Sequence, residues 1–236
     1  MKILSSVFVV FLALACPVAA QNFEGTVTMS HSLYQGLITT FYIQGDQAAV
    51  ISGGNATDAN TRTVVNRTTG EYLVINEANV QAQVTRYNLG DPQFALPDMG
   101  KAEVTATGET RKIDGYTCEK FLVNQGGLTA TLWVAASLAD LHLADFMTPV
   151  TLRREGRFLN VPGISGFPLE IETTDLRSGA PVTLKQTVKS GKTDAQKLTI
   201  PAGAVVIEMS TLTKQVDDAG RDREKLKEIK QNMNQN

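Results

Sequence analysis

Apolar and polar residues alternate with a period of two along most of this chain. In residues 23–29, Phe23, Val27 and Met29 fall on one side and Glu24, Thr26 and Thr28 on the other. That is the pattern of a strand with one face buried and one in water. Similar short runs occupy 37–43, 47–51, 61–65, 71–75 and 79–87. Turn-forming pairs such as Gly45-Asp46 and Thr69-Gly70 separate them, as does the loop Ser52-Gly53-Gly54-Asn55. Residues 89–100 interrupt the series with Pro92 and Pro97. It resumes at 101–107, residues 108–115 lead on to 116–123, and Gly126-Gly127 turns into 128–134. Beyond a second Pro- and Gly-rich loop at 160–168, strands are predicted at 169–176, 182–189, 195–200 and 204–209. Many short strands with regularly spaced turns predict a mainly β, antiparallel domain. The expected form is a strongly curved sheet, an incomplete or half barrel.

One segment breaks the period. Ser137 with Asp140 three residues later reads as a helix start. Leu141, Leu143, Ala144, Phe146 and Met147 carry the helix on until Pro149. It is apolar around most of its girth, so it is predicted to cover the sheet rather than face water. From residue 216 onward the chain is charged, and Leu226, Ile229 and Met233 make only a thin helical stripe. Residues 214–236 are therefore predicted to be a charged tail, helical or partly disordered, after a β domain spanning 21–213.

The first twenty residues carry a different signal. Lys2 precedes an apolar run at 7–15, followed by Pro17-Val18-Ala19-Ala20 and then polar Gln21-Asn22. A basic start, a short apolar core and small residues at a cut site make a secretory signal peptide over 1–20, cleaved between Ala20 and Gln21. A competing cut before Cys16, in Leu14-Ala15-Cys16, would leave a lipid-tethered chain. The run is shorter than the roughly 20 apolar residues a membrane span needs, and no later stretch is long and apolar enough. The expected location is periplasmic or secreted.

Charge narrows the partners. The 236 residues hold 22 Lys+Arg against 24 Asp+Glu, a formal net charge of −2. No basic surface of the kind nucleic acid requires follows from that balance. Of two cysteines, Cys16 leaves with the leader, and Cys118 is left to be a buried small side chain without a disulfide partner in the chain.

Candidate chemistry is sparse. His31 and His142 lack Cys or carboxylate partners at metal-ligand spacing, so neither metal nor cofactor is expected. His142 and Asp145, three apart, suit a surface ion pair on a helix. Ser190-Gly191-Lys192-Thr193 ends like a phosphate loop, but Gln186 stands where that motif needs Gly, so it reads as a hairpin turn. Asp114-Gly115 is likewise turn chemistry. Asn55-Ala56-Thr57 and Asn66-Arg67-Thr68 match the glycosylation acceptor pattern, which matters in a eukaryotic setting alone. Gly163-Ile164-Ser165-Gly166 has the wrong spacing for a nucleophile elbow. The chain is expected not to be an enzyme. Trp133, the lone tryptophan, is either a core anchor or a contact for an apolar ligand. If sheet and helix enclose a space, its candidate lining is Phe41, Ile43, Trp133, Phe146 and Met147, and the occupant is apolar or lipid-like. An apolar inner face filled by its own side chains gives the alternative: a non-catalytic envelope protein that binds another protein or serves structurally.

Several blocks also carry a family resemblance. They are Phe23-Glu24-Gly25-Thr26-Val27, the central run from Thr107 through Asp114-Gly115-Tyr116 to Lys120, Leu132-Trp133-Val134-Ala135, Gly166-Phe167-Pro168-Leu169 and Ile200-Pro201-Ala202-Gly203. In this order they resemble the DUF4412 family of exported bacterial proteins, over residues 23 to about 206. The strand order of that family is similar to that of LolA/LolB-type lipoprotein carriers. Those have an incomplete antiparallel barrel plugged by helices that shelters acyl chains. The resemblance implies that 137–147 is such a plug and that the inner face holds a lipid-like ligand.

Overall fold

Among the described residues, twelve strands hydrogen-bond side by side in one sheet. The structure, a computed structural model, describes residues 23–34, 36–53, 60–91, 100–147, 156–175, 178–210 and 227. The predicted leader, and the predicted tail apart from Lys227, lie outside these residues. The first six strands are β1 (Glu24–His31), β2 (Ile38–Gln44), β3 (Gln47–Gly53), β4 (Thr61–Asn66), β5 (Glu71–Asn76) and β6 (Gln83–Asn88). Next come β7 (Ala102–Ile113), β8 (Tyr116–Gln125), β9 (Leu128–Ala135), β10 (Phe167–Thr174), β11 (Pro181–Ser190) and β12 (Val205–Glu208).

The order across the sheet is β12-β6-β5-β4-β3-β2-β1-β11-β10-β9-β8-β7. It consists of two meanders, β1–β6 and β7–β11, joined where β1 pairs with β11 antiparallel, Val27 opposite Val188. β12 lies parallel to β6. The sheet stays open, with β7 and β12 as its edges. Turn chemistry sets the hairpins: Asp114 (φ 49°) and Gly115 (φ 87°) both take the left-handed conformation that a two-residue β7–β8 turn requires.

Antiparallel partners point to the same face, so the register sorts the side chains. Phe41, Val27 and Val188 are cross-strand partners on one face. Leu184, Ile171 and Leu132 continue that face into the second meander. We term it the inner face. It joins Leu138, Leu141, Leu143, Phe146, Phe158, Leu159 and Val161, from the chain between β9 and β10, in one buried cluster. A smaller cluster lies on the outer face of the first meander, where Ala49, Val64, Leu73, Ile75 and Val84 pack with Leu198. Arg62 fastens that segment: Nε donates to the Lys197 carbonyl at 3.1 Å and Nη2 to the Thr199 carbonyl at 2.8 Å, and the guanidinium also pairs with Glu77. Charge-assisted bonds of this kind justify a buried cation. At the β10 bulge between Pro168 and Glu170, the buried Gln186 amide donates to the Pro168 and Leu169 carbonyls at 3.1 and 2.9 Å.

Four expectations need correction. Residues 137–147 are not an α-helix but two 3₁₀ turns, Ala136–Leu138 and Leu143–Phe146. His142, with φ −96° and ψ 66°, breaks helical geometry between them, and neither turn has a side-chain cap. Residues 195–200 form no strand: Asp194 accepts from the Gln196 amide and caps a 3₁₀ turn, Ala195–Leu198. Ser190-Gly191-Lys192-Thr193 leads into that turn and is not a hairpin. Finally, residues 108–113 are no connector, because β7 runs on to Ile113 past an irregularity between Ala106 and Thr110.

Candidate ligand-binding cavity

A cavity of about 250 Å³ opens on the inner face of the first meander. Its walls are built in levels by the β register. Thr39 lies opposite Ser52, with Met29 beside Thr39 on β1. One level further in, Phe41 faces Val50, which faces Thr63. Thr61 extends the hydroxyl row, and Tyr72 closes the far side. Phe146 and Met147 form the remaining wall, contributed by the second 3₁₀ turn and its C-cap. The space is amphipathic. Thr39, Ser52, Thr61 and Thr63 supply hydroxyls, while Met29, Phe41, Val50, Phe146 and Met147 supply apolar surface. Among the described lining residues none is ionised at neutral pH.

The polar groups are ordered. Thr39 Oγ1 and Ser52 Oγ lie 3.0 Å apart in a shared hydrogen bond. Burial pushes the Tyr72 phenol above its ordinary range, opposed by a hydrogen bond with the Thr63 side chain. The Tyr87 ring packs edge-on against Tyr72 at 5.8 Å. Outside the Phe146–Met147 wall, Arg67 on the β4–β5 turn acts as a clasp. Its Nε binds Asp46 at 2.8 Å, its Nη1 lies 3.6 Å from Asp145, and its guanidinium sits over the Phe146 ring at 5.6 Å. Hydrogen bonding from Arg67, then from Thr68, holds the Asp46 carboxyl below the usual range.

The five sequence candidates separate. Phe41, Phe146 and Met147 meet at the cavity. Ile43 is on the same face but one level deeper, opposite Ala48, where it is fully buried in packed core. Trp133 does not belong to this wall. Its neighbour Leu132 takes the inner face, so Trp133 points outward, opposite Lys120 and Glu170. There it is only 8% exposed because Arg111 lies 4.0 Å over its ring and Lys120 flanks it at 5.7 Å. Arg111 is in turn held by Glu170 at 2.5 Å, and Lys120 by Glu109 at 2.9 Å. Sequence reasoning missed Thr39, Ser52, Thr61, Thr63 and Tyr72. The available signal was parity: Thr39 stands two residues from Phe41, so the two share a face.

The remaining candidates fall elsewhere. His31 Nδ1 accepts from the Leu33 amide at 3.1 Å, and its ring lies 4.7 Å from Tyr34. His142 is exposed, and Asp145 pairs with Arg67. Cys118 is a buried free thiol whose pKa burial raises. Among the described residues no three His, Cys, Asp or Glu side chains gather into a metal-ligand set. Likewise, no described helix is long and apolar enough to cross a membrane. The cut between Ala20 and Gln21 lies outside the described residues.

Comparison with known proteins gives a family. No curated protein matches the chain. Among solved structures, PNGF-II is 17% identical with a TM-score of 0.42; the match covers 81% of this chain, which spans about a third (33%) of that one. An uncharacterized conserved protein from Thermus thermophilus is 14% identical, with 80% and 91% of the two chains covered and a TM-score of 0.44. The LolA superfamily protein NE2245 from Nitrosomonas europaea is 15% identical, with 77% and 91% covered and a TM-score of 0.31. The family described as "Domain of unknown function (DUF4412)" matches residues 23–204, nearly the whole of the described sheet. The chain is a member of the DUF4412 family.

Proposed function

We propose that this protein is an exported, non-catalytic binding protein whose inner-face cavity takes a small apolar or amphipathic, lipid-like molecule. One observation carries the reading. Phe146 and Met147 on one side and Phe41 and Val50 on the other line a space of about 250 Å³. Concave, mostly apolar sites with a few polar groups are the usual form of ligand pockets. The sequence of residues 1–20 supports export to the periplasm or beyond.

The test is ligand uptake. Purified protein that has been stripped of lipid is expected to take up a fluorescent fatty-acyl probe and to show the adduct in native mass spectrometry. Val50→Phe, which extends a ring into the space, is expected to abolish uptake with little change in circular dichroism. Uptake unaffected by Val50→Phe would sink the assignment of the site. A filled interior over the second meander, where Leu132, Ile171 and Leu184 are buried, is what favours the alternative of an envelope interaction protein. No uptake of any probe, together with recovery of a stoichiometric protein partner, would favour that alternative.

A further inference from the structure

We infer that the occupant of this cavity is a single-chain amphiphile with an uncharged, hydroxyl- or ester-bearing head, of which roughly eight heavy atoms, head included, lie inside the protein. The inference rests on the ligand-binding reading and makes it specific.

Size comes first. Pockets for drug-sized ligands occupy about 300–1,000 Å³, and this one holds about 250 Å³. A water molecule, close in size to a methylene, takes about 30 Å³ of liquid. The space therefore accepts roughly eight such units and has no room for two or three long acyl chains. Polarity then sets the orientation. The outer level carries three hydroxyls, Thr39, Ser52 and Thr61, beside Met29, and the next level in carries Phe41 and Val50 beside the single hydroxyl of Thr63. A chain enters tail first and leaves its head among the hydroxyls. Hydroxyl groups both donate and accept, so they match a head that does the same. An ionised head would meet no opposite charge there, because none of the described lining residues is ionised.

Titration calorimetry of the full chain with three homologous series tests this: monoacylglycerols, fatty acids at pH 8 and alkyltrimethylammonium salts, each from four to sixteen carbons. In the monoacylglycerol series affinity is expected to rise about fourfold per methylene and to level off by about eight carbons. The ionic series are expected to bind at least tenfold more weakly at equal chain length. The double substitution Thr39→Val, Ser52→Ala is expected to weaken monoacylglycerol binding and leave binding of a 1-chloroalkane of equal length unchanged. Affinity that keeps climbing to sixteen carbons, or a preference for either ionic series, overturns the inference while the cavity remains a ligand site. Failure of every series to bind, in the parent as in Val50→Phe, overturns the underlying reading as well.

Discussion

Arg67 reaches from the β4–β5 turn to Asp145, 3.6 Å away, and so ties the first meander to the segment that walls the cavity. Its bond to Asp46 at 2.8 Å orients the guanidinium, and the Phe146 ring lies beneath it. The clasp is partly exposed, so its value to global stability is small, but its position makes it a local latch.

Replacing Arg67 with Ala should cost about 1–2 kcal/mol, combining a surface ion pair with a cation–π contact, and lower Tm by a few degrees. The larger effect is expected locally. Amide exchange across residues 143–147 should accelerate more than exchange in β1 or β11, and bound ligand should dissociate faster. Uniform acceleration across the sheet would argue against a latch.

Acid should open the same latch. The Asp46 carboxyl is held below its ordinary value by Arg67. A depressed folded-state pKa contributes stability that is complete above the unfolded value, about 3.9, and is lost as pH falls through the folded value. Opening at 143–147, read as exchange divided by the intrinsic amide rate at each pH, is therefore expected to be flat from pH 7 to 5 and to rise below pH 4. In Arg67→Ala the rise attributable to Asp46 should vanish. A change centred near pH 6 would point to a histidine instead.

Gly166→Ala should be among the costliest single-methyl changes in the chain. The residue has φ 129°, and an added Cβ would lie 2.7 Å from the Ala135 carbonyl oxygen and 2.8 Å from Val134 Cγ1. Backbone strain and overpacking together predict a loss of about 2–4 kcal/mol. Gly163→Ala, with φ 93° but open space around it, should lose about 1 kcal/mol. Equal melting temperatures for the two variants would contradict the close approach.

Cys118 should be inert in the native protein. Burial is the largest influence on its pKa and raises it, and thiol reagents attack the thiolate. Labelling at pH 8 is expected only once denaturant unfolds the sheet, so its rate should report global opening. Rapid labelling of native protein would show that the β8–β9 region opens independently.

Most strands were legible because each has one wet face, which imposes alternation on residues such as Thr26, Val27 and Thr28. Where both faces are covered the signal fails. β9 has Leu132, Trp133, Val134 and Ala135 all buried, so the sequence cannot tell which side of Trp133 is inward, and the candidate lining set mixed two faces. Segment 195–200 misled for a related reason. Leu198 is buried by docking across the outer face, with Arg62 holding its backbone, and no local periodicity records a contact with residue 62. Phe41, Phe146 and Met147 were readable as apolar positions. The hydroxyl row was not, because a threonine in a strand reads as solvent-facing until the register shows what stands opposite.

The seam between β1 and β11 has a consequence for how the chain acquires its shape. The first strand to emerge finds its second neighbour only when almost the entire described chain has followed, since Val27 waits for Val188. Contacts so distant along the chain make folding slow. Until then the β1 edge is bare, and a bare edge invites pairing with other chains. A chain truncated before residue 181 should keep two sound hairpin stacks and still aggregate, through the edge that its missing strand was to cover.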